Sequence, residues 1–285
     1  HVTIKDLTIK NFKNGINSSY TDGLTVSGVT VDSASSYAMY IFGNANVVAP
    51  TLIMGNTITN SNSGINLFDI KSGLTVHGIG YGSNISCLGN PSSNDLYQFG
   101  FVKVVSNTLQ NSGMIFSNSD GACVDNNTIM NASNAIYVSN QSHDVEIMNN
   151  VITNSSSDAI QLSGAERVNI HDNTITGNEG YIRNSGNSNY FQIYNNSFIG
   201  MECNNSDNGK IVGNTSYAEI KIAYCDHIVI DGNTVTNGNM GIRLMSMNVN
   251  GTITSNTVTN NDWLGIYVGG SDHVVSNNIE NNNGG

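Results

Sequence analysis

Apolar residues recur in short alternating runs along this chain, and polar turns separate the runs. A-I-Y-V at 135–138 alternates with a period of two, a turn rich in Ser, Asn and Gln follows, and V-E-I at 145–147 comes next. An Asn step, a T-I or V-I pair and a second polar turn complete the unit. The Asn anchors are Asn56, Asn107, Asn127, Asn150, Asn173, Asn196, Asn214, Asn233, Asn256 and Asn278. From Asn107 onward they are 20, 23, 23, 23, 18, 19, 23 and 22 residues apart. L-T-I from Leu7 and V-T-V from Val29 carry the pattern towards the start without the Asn.

Runs of three to five residues are too short for independent sheets, and no stretch has the 3.6-residue period of a helix. A fixed period of this length marks a solenoid. The prediction is an all-β fold, a right-handed parallel β-helix of about 13 coils with three short strands per coil, a rod on the order of 60 Å long. Its single domain covers 1–285 and is expected to be the core of a longer protein. The 51 residues from Asn56 to Asn107 read as two coils plus an insertion near 80–98, around Cys87 and Tyr97. Ile129, Ile152, Ile175, Val235 and Val258 should form one buried row. The anchor Asn should turn the chain, because Asn tolerates the left-handed region, and stacked Asn side chains can hydrogen-bond as a ladder.

Composition narrows the function. Net charge is −11 and the pI about 4.7, which argues against nucleic acid, since phosphate binding needs a basic face. No apolar run approaches the ~18 residues of a membrane span. Charged residues are only 11%, so Asn, Ser and Thr make the polar surface. Ten N-x-[ST] sequons favour an extracellular or cell-surface location, although a chain rich in these residues also makes sequons by chance. The four cysteines lack C-x-x-C spacing, which disfavours a zinc or redox motif. Cys203 and Cys225 lie in consecutive coils and could bridge; Cys87 could reach Cys123 if its loop folds back.

The string N-N-x-I-x-N and the opening V-T-I-K-D-L-T-I-K-N-F resemble the parallel β-helix repeat proteins of the pectin-lyase-like superfamily. Within it, the Asn-rich coils look like the surface group of NosD-like proteins and methanogen disaggregatases. The resemblance covers nearly the whole chain. It implies the fold and, through the disaggregatases, a uronate-containing matrix polymer as substrate. Pectate lyases of the superfamily hold calcium on clustered Asp. No such cluster is seen, so no metal or other cofactor is expected, calcium being the one possibility the family raises. Asp158 stands where β-helix hydrolases carry an acid, but the surrounding N-T-D and G-H-G motifs are missing.

Aligning the coils on the first strand gives an outward column: Tyr40, Asn66, Ile115, Tyr137, Gln161, Arg183, Glu202, Lys221, Arg243 and Tyr267. Tyrosines offer stacking area with a polar tip, and Arg offers a fork for carboxylates. This reads as a strip for an acidic polysaccharide, local cations offsetting the overall negative charge. Arg183, Glu202, Glu219, Lys221 and Arg243 are the catalytic candidates, with Lys221 and Arg243 outward and unburied. Tyr137, Gln161, Tyr181, Tyr267 and Trp263 are the substrate-binding candidates. Glu202 and Glu219 would suit inverting glycoside hydrolysis. Lys221 as base, Tyr181 as acid and the two Arg as neutralisers would suit a lyase. The alternative is a ladder whose charges neutralise one another. A second outward column holds His77, Asp125, Met148, His171, Tyr194 and Asp231, and there His171 and Tyr194 could do acid–base chemistry. The expected function is therefore a lyase or glycoside hydrolase degrading an acidic extracellular polysaccharide. The competing reading is a non-catalytic cell-surface or adhesion protein.

Overall fold

The computed structural model describes residues 1–43, 51–70, 102–177, 180–245, 247–282 and 284. The described residues form three parallel sheets and no helix. Sheet 1 runs from Val2–Lys5 to Val274–Ser276 and sheet 2 from Thr8–Lys10 to Ile279–Asn281, twelve strands each. Sheet 3 runs from Asn14–Ser19 to Leu264–Val268 with eleven strands. Each strand pairs with its equivalent in the coils before and after, which is the expected β-helix.

The coil count differs from the expected 13, and the reason lies at the long gap. Thr51–Met54 pairs directly with Val102–Val105, and the Asn56 amide donates to Asn107 Oδ1 at 2.9 Å. The 51-residue step is therefore one coil, not two. The insertion expected near 80–98, with Cys87, lies outside the described residues.

Alternation places one apolar row per sheet in a common core. Ile129, Ile152, Ile175, Val235 and Val258 are fully buried in one row, and Phe198 and Ser216 fill the two places between.

Two residues, not one, turn the corner between sheets 1 and 2. Left-handed φ falls on the residue before each anchor: Gly55, Ser106, Asn126, Asn149, Asp172, Asn195, Gly213, Gly232, Ser255 and Asn277. The anchor Asn is left free to bond. Asn150 donates from Nδ2 to Val124 O, Met148 O and Asn173 Oδ1 at 2.8–2.9 Å. Its backbone N–H also reaches Asn173 Oδ1, at 2.9 Å. The pattern repeats from Asn56 to Asn278, so the ladder satisfies the buried backbone groups that the corner would otherwise orphan.

Cys123 is disulfide-bonded, while the expectation for Cys87 falls outside the described residues. Cys203 and Cys225 are buried free thiols in direct contact, sulfur to sulfur 2.8 Å.

Candidate functional site

The outward column of sheet 3 is one unbroken ladder. Pairing runs Asn17, Tyr40, Asn66, Ile115, Tyr137, Gln161, Arg183, Glu202, Lys221, Arg243, Tyr267. Ten steps at about 4.8 Å span on the order of 50 Å, although Asn66, expected to face outward, is fully buried and bonded to Ser63. A groove of about 280 Å³ opens on the ladder's C-terminal half, lined by Tyr181, Arg183, Met201, Glu202, Glu219, Lys221 and Arg243.

Two local features make the recess. The connection from sheet 2 to sheet 3 shrinks to the single residue Ile199 between Ser197–Phe198 and Gly200–Asn204, so little chain overhangs the strand. Gly200 pairs with Tyr181, and a Cβ there would lie 2.5 Å from the Tyr181 ring. The missing side chain lets Tyr181 lie across the next coil and wall the groove.

The charges pair along and across the ladder. Lys221 Nζ donates to Glu202 Oε1 at 2.7 Å. Arg243 pairs with Glu219 through one hydrogen bond, Nη2 donating to Oε2 at 3.1 Å, and a charge contact of Nε with Oε1. Arg183 Nε is 3.2 Å from Asp158 Oδ1, and its Nη2 is 3.9 Å from Glu202. Three cations thus face three carboxylates, and the expected cationic strip is electrically balanced. Lys221 and Arg243 are not unburied either: their side chains are 29% and 26% exposed, because each folds down onto its acid. Arg183, at 45%, is the open one. Glu219 is pushed above the usual carboxylate value by burial, which outweighs Arg243 and Lys221.

The structure gathers all five catalytic candidates and Tyr181 around this groove. Tyr137 and Gln161 lie on the same ladder but outside the groove; Gln161 accepts from Asn134 Nδ2 at 3.0 Å. Tyr267 follows Arg243, 44% exposed, and Trp263 is exposed in the turn before it; neither lines the groove. Sequence reasoning missed Met201 and Gly200. Met201 reads as a core position in the alternation, and the one-residue connection before Gly200 was the available sign. Asp158 is buried under Arg183 rather than presented to the groove.

The second column follows sheet 1 as Asp125, Met148, His171, Tyr194, Val212 and Asp231; His77 lies outside the described residues. His171 Nε2 is 3.1 Å from Glu146 and Nδ1 is 2.7 Å from Asp172. The ring stacks on Tyr194 at 4.6 Å and 5°. Burial works against charge on His171, but Glu146 and Asp172 outweigh it and raise its pKa. Burial, then the two acids, raise Tyr194.

Two family profiles match the chain. Residues 14–198 match the one described as "Right handed beta helix region". Residues 199–285 match "Periplasmic copper-binding protein (NosD)". Among the described residues, no group of three or more His, Cys, Asp or Glu is placed to hold a metal ion. No helix among them is long and apolar enough to cross a membrane. No curated protein matches the chain.

Among solved structures, a mutant of the periplasmic alginate epimerase AlgG is 13% identical (95% of this chain, 73% of that one, TM-score 0.44). The Dettilon tailspike protein is 16% identical (98% of this chain, TM-score 0.44), and the chain spans 60% of its length. The A-module of the Azotobacter vinelandii mannuronan C-5 epimerase AlgE4 is 13% identical (99% and 81%, TM-score 0.41). At these identities the likeness is one of fold. With the three parallel sheets and a profile match over residues 14–198, the chain belongs to the right-handed β-helix family.

Proposed function

We propose that the groove hydrolyses glycosidic bonds in an extracytoplasmic, uronate-containing polysaccharide lying along the sheet 3 ladder. The observation that carries this reading is one groove holding two carboxyls in different environments. Burial raises Glu219 towards the protonated form, which suits a general acid. Glu202 lies against Lys221 and Arg183, which suits a carboxylate base. They are diagonal neighbours, because Glu202 pairs with Lys221 and Glu219 lies two residues before it. The backbones of such neighbours lie about 7–8 Å apart, which leaves their carboxyl groups able to take up the ~6.5–9.5 Å separation that inverting enzymes use. Glu219 would protonate the leaving oxygen while Glu202 takes a proton from the attacking water.

Elimination is less well supported. Its base would be Lys221, whose nitrogen is committed as a donor to Glu202. Arg183, the most exposed and loosely held cation, is the group to meet a substrate carboxylate. The disulfide at Cys123 fits an oxidising compartment.

The test is incubation with uronate polymers, reading reducing ends, unsaturated product and anomeric configuration by NMR. The expected result is inverted reducing ends without unsaturation, and at least a ~100-fold loss in E219Q. Balanced ion pairs favour one other reading, a non-catalytic surface rod whose charges only stabilise it. No cleavage of any polymer, with lowered thermal stability in E202Q and R183A, would select that reading.

A further inference from the structure

We infer that Cys203 and Cys225 are the reduced half of a disulfide that staples the two coils carrying Glu202 and Lys221. The sulfurs are 2.8 Å apart, with residue exposures of 0% and 1%. A disulfide needs ~2.05 Å, so less than 1 Å of closure separates the pair from a bond. A tetrahedral metal with sulfur bonds of about 2.3 Å would need them nearly 3.8 Å apart. The contact therefore suits a bond rather than an ion.

The preceding coils show what these positions do without sulfur. Ser119, Ser142, Ala165, Ser188, Ser206, Cys225 and Asn248 follow one corner. There a side-chain oxygen accepts from the backbone N–H of the coil before: Ser119 N–H to Ser142, Ser188 N–H to Ser206, Cys225 N–H to Asn248. Asn184, paired with Cys203 in the sheet, donates to Ser188 O at 3.2 Å, and Cys203 repeats that contact with Ser206 O at 3.5 Å. Asn and Ser thus serve both places in the neighbouring coils. Here both are sulfur, and the two sulfurs touch.

The thiols are also electrically unequal. The Cys203 hydrogen bond lowers Cys225, while burial pushes Cys203 well up. The exchange can start from either thiolate. Starting from Cys225, the attacking sulfur displaces one thiolate from a small-molecule disulfide and forms a mixed disulfide. Cys203 then gives up its proton and attacks the Cys225 sulfur, and the second thiolate leaves. The protein loses two hydrogens, and the oxidant becomes two thiols. Burial places this step at the docking of the two coils, before the sulfurs are covered.

The staple is independent of the catalytic reading and is tested on the full chain. Protein folded in a buffer of oxidised and reduced glutathione is alkylated under denaturing conditions without reductant, digested and mapped by mass spectrometry. The expected product is one linked peptide pair joining Cys203 to Cys225; full alkylation of both overturns the proposal. Thermal melts of the parent and C203A/C225A, each with and without dithiothreitol, supply a second readout. Reductant should lower the parent midpoint by roughly 5 °C more than the variant's. Equal shifts would show that no bond there holds the coils.

Discussion

At the residue scale, burial raises Glu219 and charge raises His171, so both faces lose stability as pH rises, each over its own window. The native state holds the Glu219 proton more tightly than the unfolded chain, whose ordinary value is 4.5. Its contribution to stability therefore falls as pH rises from 4.5 through the raised value. E219Q should lose activity yet keep or gain thermal stability near neutrality, a separation expected of a catalytic acid rather than a structural one. Activity and melting curves for parent and variant across pH 4–8 check it. His171 has the same sign from a different cause, two acids rather than burial. Its raised value means that Glu146 and Asp172 stabilise the charged ring fully below 6.5, its ordinary value, and that this support is lost as pH climbs through the raised one. Urea midpoints against pH should show a downward step above 6.5 in the parent and a flatter curve in H171Q. Identical curves would mean that the ring carries no charge in the fold.

At the element scale, the corner divides labour between adjacent residues, and substitutions should reveal the division. Asn173 is buried and donates to Ile147 O, His171 O and Asn196 while accepting from Asn150. N173A strands several of these groups and should cost about 3–4 kcal/mol. Asn195, the left-handed residue of the following coil, supplies a φ of 55°. N195A should cost about 1–2 kcal/mol and N195G nearly nothing; chemical denaturation of the three variants measures this. The ladder was legible in the sequence, because period-two alternation and repeated Asn fix which side chains share a face; the order of the whole Tyr40 to Tyr267 column follows from it. The position of the left-handed residue was not, since Asn stands at every anchor and also just before several of them, as at Asn126, Asn149 and Asn195, and it tolerates the left-handed region at either place. Nor could the alternation show that Lys221 and Arg243 fold onto Glu202 and Glu219. That depends on side-chain reach between coils, which the periodicity does not encode. The 51-residue gap misled because it is near twice the repeat, although only one coil is closed there.

At the scale of the whole molecule, every coil packs on its neighbours alone, so stability should grade along the rod rather than stand at one value. The first strands, Val2–Lys5 and Thr8–Lys10, and the last, Val274–Ser276 and Ile279–Asn281, are mostly exposed. Hydrogen exchange read by mass spectrometry should find these amides fastest and those of Ile136–Ser139 and Asp158–Ser163 slowest; uniform protection would point to a single cooperative unit. The unequal spacing of the Asn ladder has a kinetic consequence. Most rungs join residues 18–23 apart, so a growing solenoid adds each turn by closing a loop of nearly constant length, however long the rod becomes. One rung spans 51 residues, from Asn56 to Asn107. Closing it costs about 0.7 kcal/mol more in chain entropy than a 23-residue rung. Elongation that starts on either side should pause there, and the protein should assemble as two nuclei that meet at this seam.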